Sequence, residues 1–322
     1  MVQTKALYNL LRLNAAEDQT LAAKPWAIED LRAIPQSELF SRLAKKDIRL
    51  DKGGFIVFAE NCDTPEELAD LLLPDEVDEE SYDALYLVIF ELWRRLLPEK
   101  QSLSIFCDEL DCQIAYFDED REVSDEPLQD ALSNLLEILD ENADAGVEPH
   151  NVFAAISEYC AHDLESFIYD YIADLLDCGN PTYAEELIEG FSPYLREPAS
   201  FDFLKARLVS FTDTPHANRL IRKILENENA LPELIEILAF LAENGDHDLF
   251  VSTVKKIFPF LKTEEEFLEL LEIAGDYYRR LDQDGVEQSI LKLIKKRENR
   301  VGSLSPTDPD LKALLQIMAK SH

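Results

Sequence analysis

The second half of the chain repeats a turn at nearly regular intervals, and this spacing limits the fold more than any other feature. Turn-forming residues cluster around Asn180, Asp213, Gly245 and Gln283, so the successive intervals are 33, 32 and 38 residues. Each interval is long enough for two amphipathic helices, and short connections make such helices antiparallel neighbours. Repetition at this interval is typical of stacked helical hairpins.

Two small residues strengthen this interpretation. Ala184 and Ala217 each lie four residues after their turn, where a small side chain lets two helices approach closely. In spacing and in these alanines, residues 161–300 resemble tetratricopeptide-type repeats, although the equivalent position is not small in the next two repeats. The resemblance implies an α-solenoid of stacked antiparallel hairpins. Another type of α-solenoid, or an irregular helical bundle with evenly spaced turns, stays open as an alternative.

Helix signals also fill the first half of the chain. Thr64 precedes Pro65 and Glu67, which is the pattern of a capped helix start, and leucines recur every three or four residues from 128 to 139. Only 9 of the 322 residues are glycine, which favours helices joined by short turns. The sequence therefore predicts an all-α protein whose irregular helical N-terminal half continues into a tetratricopeptide-like α-solenoid.

One segment of the first half allows two interpretations. The residues from Asp51 to Gly54 come directly before the apolar segment Phe55–Ala59. They fit a hairpin turn that leads into a strand, or a loop that leads into a short buried helix ending near Cys62. The helical surroundings favour the helix.

Negative charge is concentrated in the middle of the chain. Residues 61–200 contain 37 Asp and Glu but only 5 Lys and Arg, for a net charge of −32, whereas residues 1–60 carry +1 and residues 201–322 carry −4. Together with the repeats, this profile predicts a near-neutral helical segment over 1–60, an acidic helical region over 61–150 and helical repeats over 151–322.

A field of this sign repels phosphates and anionic membranes and favours encounter with a basic protein. We therefore expect a basic protein or peptide as the partner, without direct nucleic-acid binding and without membrane insertion.

A stripe of acidic residues is the best candidate for the binding surface. We predict one helix from Phe153 to Leu176, and at about 100° per residue Asp163, Asp170, Asp174 and Asp177 fall within about 60° of one another. Such a stripe can receive Lys or Arg side chains from a partner. The alternative is an ordinary solvated helix face. These four aspartates are the predicted partner-binding residues.

Catalytic and metal-binding patterns are missing from the sequence. It contains no nucleophile elbow, no glycine-rich phosphate loop and no zinc-protease motif. A calcium loop that begins at Asp118 would place Val123 where glycine is required. The cysteines and histidines do not form zinc knuckles, and Cys160 and Cys178 are expected to be buried and inert. We therefore expect no cofactor, no metal and no enzymatic activity.

Compartment and function follow from the same features. Five scattered cysteines, together with the lack of a signal-peptide core and of an apolar run near 20 residues, favour the cytoplasm. These signals do not test for a non-classical export route. The expected function is a non-enzymatic scaffold or cargo chaperone. An acidic mimic that occupies a DNA- or RNA-binding protein, and an enzyme whose site is not visible in the sequence, are the alternatives.

Overall fold

The computed structural model of the chain describes residues 3–74, 77–119, 125–195 and 199–319. Over these ranges the secondary structure is almost entirely helical, and the pairing of β type is limited to an isolated bridge between Thr263 and Ser303. The all-α prediction is confirmed. No helix in these ranges is both long enough and apolar enough to cross a bilayer.

The helices follow one another with short connections. The first eight are α1 (Thr4–Glu17), α2 (Gln36–Ala44), α3 (Lys52–Ala59), α4 (Pro65–Leu72), α5 (Glu79–Leu96), α6 (Leu103–Asp118), α7 (Glu126–Asp144) and α8 (Pro149–Ser157). The others are α9 (Leu164–Asp177), α10 (Pro181–Phe191), α11 (Ala199–Ser210), α12 (Thr214–Asn227), α13 (Leu231–Asn244), α14 (His247–Ile257), α15 (Glu264–Arg280), α16 (Asp284–Arg297) and α17 (Pro309–Met318). Short 3-10 turns occur at Pro25–Ala27, Leu31–Ala33, Ser192–Tyr194 and Phe258–Phe260.

The described residues form two compact units. The first runs to Ile168 and also includes residues 193–195, and the second comprises Tyr169–Ser192 and the described residues from 199 onward. The division therefore falls within α9. The three segments that the charge profile predicts, with limits at 60 and 150, stay a prediction, because compactness does not report on charge.

Helix α5 forms the centre of the first unit. Every residue from Leu85 to Trp93 is buried, and a helix that is buried on all sides must be surrounded by other elements. Helices α2 and α4 pack against α5, while α1 and α7 pack against α6. Apolar side chains of α2, α3, α4 and α5 share one core.

Local capping determines where several helices begin. The Asp51 carboxylate accepts the N–H of Gly54 at 2.7 Å and caps α3, so the segment Phe55–Ala59 is helical, as its surroundings favoured. Thr64 caps α4 as predicted, and Thr263 begins α15 with a complete capping box. In each case a side-chain oxygen satisfies an N–H group that has no partner within the helix.

The second unit consists largely of consecutive helical hairpins. Helix α11 pairs with α12, α13 with α14 and α15 with α16, and α13 also packs against both α11 and α15. One apolar core extends through these helices and includes the fully buried side chains of Phe250, Phe267 and Tyr278. The stacked hairpins agree with the turn spacing. Their relation to tetratricopeptide-type repeats stays a prediction.

The single helix predicted from Phe153 to Leu176 is wrong. Helices α8 and α9 are separate, and residues 158–163 lie between them. The carboxylate of Asp111 accepts the backbone N–H groups of Ala161 and His162 at 2.9 and 3.2 Å. A continuous helix would direct these N–H groups to carbonyls one turn earlier. A long-range hydrogen bond therefore replaces the helical ones.

Candidate functional site

A groove of about 760 Å³ opens in the second unit beside α9, α11 and α13. Helices α11 and α13 are the first helices of successive helical hairpins, and α9 precedes them in the chain. We call this cavity the Arg207 groove, and its lining includes Asp177, Phe203, Arg207, Phe211, Glu236 and Phe240. Its volume falls in the range of cavities that hold a small ligand or a few side chains of a partner.

Aromatic side chains form the apolar part of the groove. Phe203 and Arg207 are four residues apart on α11, so they lie on the same face of the helix. The guanidinium carbon of Arg207 is 6.0 Å from the centre of the Phe203 ring, which is within range of a cation–π interaction. The Phe203 ring also meets Phe240 of α13 edge to face, with 5.7 Å between ring centres. These contacts join α11 to α13 and restrain Arg207.

A glycine turn ends α9 at the rim of the groove. The N–H of Gly179 binds the carbonyl of Leu176, and the N–H of Asn180 binds the carbonyl of Leu175 at 2.8 Å. This pair of hydrogen bonds is a Schellman motif, which requires a left-handed residue after the helix. Gly179 supplies it with a φ of 75°. Asp177 consequently lies in the last turn of α9, where it lines the groove.

Arg207 is the buried charge of the groove. Its side chain is 9% exposed, and its Nη2 donates to the Asp177 carboxylate at 2.6 Å and to the Ala173 carbonyl at 3.2 Å. Its Nη1 lies 3.9 Å from Oε1 of Glu236, which is too far for a hydrogen bond. Neither Nη1 nor Nε donates a hydrogen bond to any residue that the structure describes. Part of the guanidinium therefore has no protein acceptor.

Glu236 is held by Tyr169 rather than by Arg207. The Tyr169 hydroxyl lies 2.8 and 2.9 Å from the two carboxylate oxygens of Glu236. Burial raises the pKa of Glu236, Asp170 and Glu233 add to this effect, and Tyr169 and Arg207 oppose it. Burial and the Glu236 charge raise the pKa of Tyr169, so its hydroxyl stays a donor at neutral pH.

The four predicted binding residues have different roles in the structure. Asp163 lies before α9 and caps it, since its carboxylate accepts the N–H groups of Glu165 and Ser166 at 3.1 and 3.3 Å. Asp170, Asp174 and Asp177 are exposed on α9, and Asp177 pairs with Arg207. Partner binding by these aspartates stays a prediction.

A buried polar network in the first unit has a structural role. Asp108 accepts hydrogen bonds from Asn9 at 2.9 Å and Arg32 at 2.7 Å, and its carboxylate lies 2.8 Å from the ammonium of Lys5. Burial opposes ionisation of this carboxyl, but Lys5 and Arg32 outweigh burial and hold the pKa of Asp108 well below its ordinary value. The network joins α1 and the Leu31–Ala33 turn to α6.

A second buried carboxylate, Asp111, pairs with His162, and this pair resembles part of a catalytic site. Oδ1 of Asp111 lies 2.9 Å from Nδ1 of His162, and an imidazole oriented in this way often activates a nucleophile. The neighbouring thiol of Cys160 is unsuitable as that nucleophile, however, because its hydrogen bond with Cys107 and its burial raise its pKa. A protonated thiol is a poor nucleophile. We therefore assign the Asp111–His162 pair a structural role, which is to stabilise the break between α8 and α9.

The cysteines are free of disulfides. Cys160 is buried, as predicted, but Cys178 is exposed, so the prediction that it is buried is wrong. It follows the last residue of α9 and therefore lies beyond the buried face of that helix. Over the described ranges, no three His, Cys, Asp or Glu side chains are placed to hold a metal ion.

No protein-family model matches the sequence, and no curated protein or solved structure matches it either. The resemblance to tetratricopeptide-type repeats therefore depends on the turn spacing and on Ala184 and Ala217. The chemistry of the Arg207 groove is the main indication of function.

Arg207, Tyr169 and Glu236 are not among the binding residues that the sequence predicts. One signal was present for Arg207, because it lies one helical turn after Phe203 in a largely apolar stretch, and a charged residue there is usually paired inside the protein. Tyr169 and Glu236 are 67 residues apart, and no local pattern connects them.

Proposed function

We propose that the protein is a non-enzymatic interaction module that holds a basic protein or peptide in the Arg207 groove, as a scaffold or a cargo chaperone. The combination of acidic and aromatic side chains in one groove is the observation that carries this proposal. Five cysteines without disulfides suit a reducing compartment, and we place the protein in the cytoplasm.

The charge of the groove favours a cationic ligand. Asp177, Glu236 and Glu243 line it together with one base, Arg207. Glu243 is half-exposed and pairs with Arg280, whereas the nearest base to Glu236 is 3.9 Å away. The net charge of −32 over residues 61–200 increases the rate at which a basic partner arrives. Charge therefore supplies partner choice and association rate.

The aromatic side chains supply an apolar contact. Phe211 is 50% exposed at the end of α11, and Phe203 and Phe240 form the joined pair beside it. Buried aromatic contacts provide most of the affinity in protein interfaces, while charged rims provide less. The preferred partner segment therefore carries Lys or Arg next to a large apolar side chain.

A peptide of alternating lysine and leucine residues tests this function. We expect it to bind the full chain at low salt, and to bind a variant with Asp177→Asn, Glu236→Gln and Glu243→Gln, the three acids of the lining, at least about tenfold more weakly. Fluorescence anisotropy of the labelled peptide measures both affinities. A matching peptide of glutamate and leucine should not bind.

A charge-matched variant separates the groove from net charge. Glu226, Glu269 and Glu272 are exposed on α12 and α15 and do not line the groove. Replacing all three with Gln removes the same number of charges, and we expect affinity close to that of the wild type. If the two triple variants bind the peptide equally, the groove is not the binding site.

A further inference from the structure

The edge of the Arg207 guanidinium that carries Nη1 and Nε is available to an acceptor from a ligand. Its Nη2 is satisfied by Asp177 and Ala173, while Nη1 and Nε donate to none of the described residues. The side chain is 9% exposed, but neither nitrogen is among the buried polar atoms that lack a partner, so solvent reaches both and an acceptor from a ligand can replace water there. The residue lines the groove, so an acceptor can reach it from the groove side.

Glu236 does not fill this role, although its carboxylate lies near Nη1. Its two oxygens are both within hydrogen-bond distance of the Tyr169 hydroxyl, and Oε1 stays 3.9 Å from Nη1. Tyr169 therefore keeps the Glu236 carboxylate apart from the Nη1 donor of Arg207 within one groove. A ligand can bind to both groups.

The surrounding charge indicates which kind of acceptor fits. Asp177 already neutralises Arg207, and Glu236 and Glu243 add further negative charge to the lining. A carboxylate of the ligand would be repelled by these groups, whereas a neutral carbonyl oxygen would not. The planar guanidinium also suits a fixed, directional acceptor better than a lysine would.

We propose that Arg207 binds a main-chain carbonyl oxygen of the segment that occupies the groove. This inference rests on the proposed function. The carbonyl contact fixes the position of the segment along the groove, so that its cationic side chains reach Glu236 and its apolar side chain reaches Phe203 and Phe240. Arg207 thereby selects an extended segment, in which a free carbonyl is available.

Replacing single amides of the ligand with esters tests the carbonyl contact, because an ester carbonyl is a weaker acceptor. The probe is the alternating lysine–leucine peptide with blocked ends, in a series that moves one ester along the backbone. With the wild type, we expect one ester position to weaken binding about tenfold and the others to have little effect. With Arg207→Lys, all ester positions should bind alike and more weakly than the parent peptide binds the wild type.

Two outcomes overturn the inference. If no single ester position weakens binding to the wild type more than the others do, Arg207 does not bind a main-chain carbonyl oxygen. If a free terminal carboxylate on the peptide strengthens its binding to the wild type but not to Arg207→Lys, the Arg207 guanidinium binds a carboxylate and not a carbonyl oxygen. In both cases the acidic triple variant still weakens binding, so the proposed function survives. If the parent peptide does not bind the wild type, both proposals fail.

A second variant guards against misfolding of Arg207→Lys. Tyr169→Phe leaves the guanidinium in place but releases Glu236 to approach Nη1. We expect it to reduce the effect of the sensitive ester at least threefold, because Glu236 then competes for the same donor. An unchanged ester effect in Tyr169→Phe, with Arg207→Lys unfolded by circular dichroism, also overturns the inference.

Discussion

Tyr169 places its hydroxyl 2.8 and 2.9 Å from the two carboxylate oxygens of Glu236, although 67 residues separate them in the chain. The single hydroxyl proton is thus shared between two acceptors. This contact keeps Glu236 out of hydrogen-bond distance of Arg207, at 3.9 Å. The Glu236 carboxylate and the Nη1 donor of Arg207 consequently both remain available to a ligand in the groove.

Removing the Tyr169 hydroxyl should destabilise the protein. In Tyr169→Phe the ring contact with Phe201, at 6.3 Å between ring centres, is kept, but a half-buried carboxylate loses its donor. We expect the free energy of unfolding to fall by about 1–2 kcal/mol, as measured by urea denaturation. Glu236→Gln should lose less, because a neutral amide needs less solvation. A larger loss in Glu236→Gln would contradict this account.

Binding of the lysine–leucine peptide should weaken as the pH falls from 7 to 5. The pKa of Glu236 is raised, chiefly by burial, so on acidification this group takes up its proton before an ordinary carboxyl does and loses its attraction for a cation. Glu236→Gln should bind more weakly at pH 7 and show a shallower pH profile. Anisotropy titrations at constant ionic strength measure both. Parallel profiles would show that Glu236 does not contact the ligand.

The acidic stripe should act on the rate of association. Replacing Asp163, Asp170, Asp174 and Asp177 together with Asn should slow binding of the peptide several-fold at low salt. Asn is also a good N-cap, so the helical content should not change. Since charges farther apart than about 8 Å are screened at physiological salt, the difference should shrink as salt increases. Equal stopped-flow rates at low salt would identify the stripe as a solvated face.

Asp108 should make the first unit sensitive to acid. Its pKa lies below the ordinary value in the folded state, so the unfolded chain takes up this proton at a higher pH. The stability that the group contributes is therefore present above about pH 4 and is lost as the pH falls through the folded pKa. Asp108→Asn should lower stability by about 3 kcal/mol at pH 7, because Lys5 and Arg32 lose their buried partner.

The control for this prediction is the difference in stability between the wild type and Asp108→Asn at low pH. Thermal unfolding at pH 7 and at pH 3 should show the wild type losing part of its advantage over Asp108→Asn, because pH 3 lies below the ordinary carboxyl pKa but above that of Asp108 in the folded protein. A constant difference would show that the carboxylate is not ionised in the network.

Arg297 should be among the most important side chains for stability. It is fully buried and its guanidinium contacts the carboxylates of Glu264, Asp308 and Asp310 at 2.7 to 2.9 Å. Arg297→Met leaves these carboxylates facing one another, and we expect a loss of about 3–5 kcal/mol at pH 7. Lys296→Met is the matched control, because the Lys296 side chain is 51% exposed and its loss should remain under about 1 kcal/mol.

The effect of Arg297 should also depend on pH. Burial opposes ionisation of Asp308 and Asp310, but Arg297 at Asp308, and Lys296 together with Arg297 at Asp310, outweigh it, so the pKa of each carboxyl is lowered. Their pairing therefore stabilises the protein above the unfolded pKa and is lost as the pH falls through the lower folded pKa. The difference between wild type and Arg297→Met in urea denaturation should be smaller at pH 3 than at pH 7. A larger difference at pH 3 would contradict this assignment.

The sequence predicts the helices well because their signals are local. Thr64 and Thr263 cap helices through hydrogen bonds to residues three positions later, and such spacing is visible in any sequence. Asp51 acts in the same way, but its neighbours Gly53 and Gly54 also suit a turn, so the segment allowed two interpretations until its capping was known.

The break between α8 and α9 depends on a distant residue and could not be predicted. Asp111 reaches Ala161 and His162 from about 50 residues away, and the intervening residues continue an apolar helical pattern. The Arg207 groove is similar, because Arg207 meets Asp177 across 30 residues. Sequence pattern identified Asp177 as an exposed acid, but not the base that it contacts.

The exposure of Cys178 gives the groove a chemical handle. The other four cysteines are buried, so a maleimide dye added to the native protein should react with this thiol first. The dye would be attached one residue beyond Asp177, at the rim of the groove, without any engineered substitution. Occupation of the groove could then be followed as a change in its emission, with the wild-type chain serving as its own sensor.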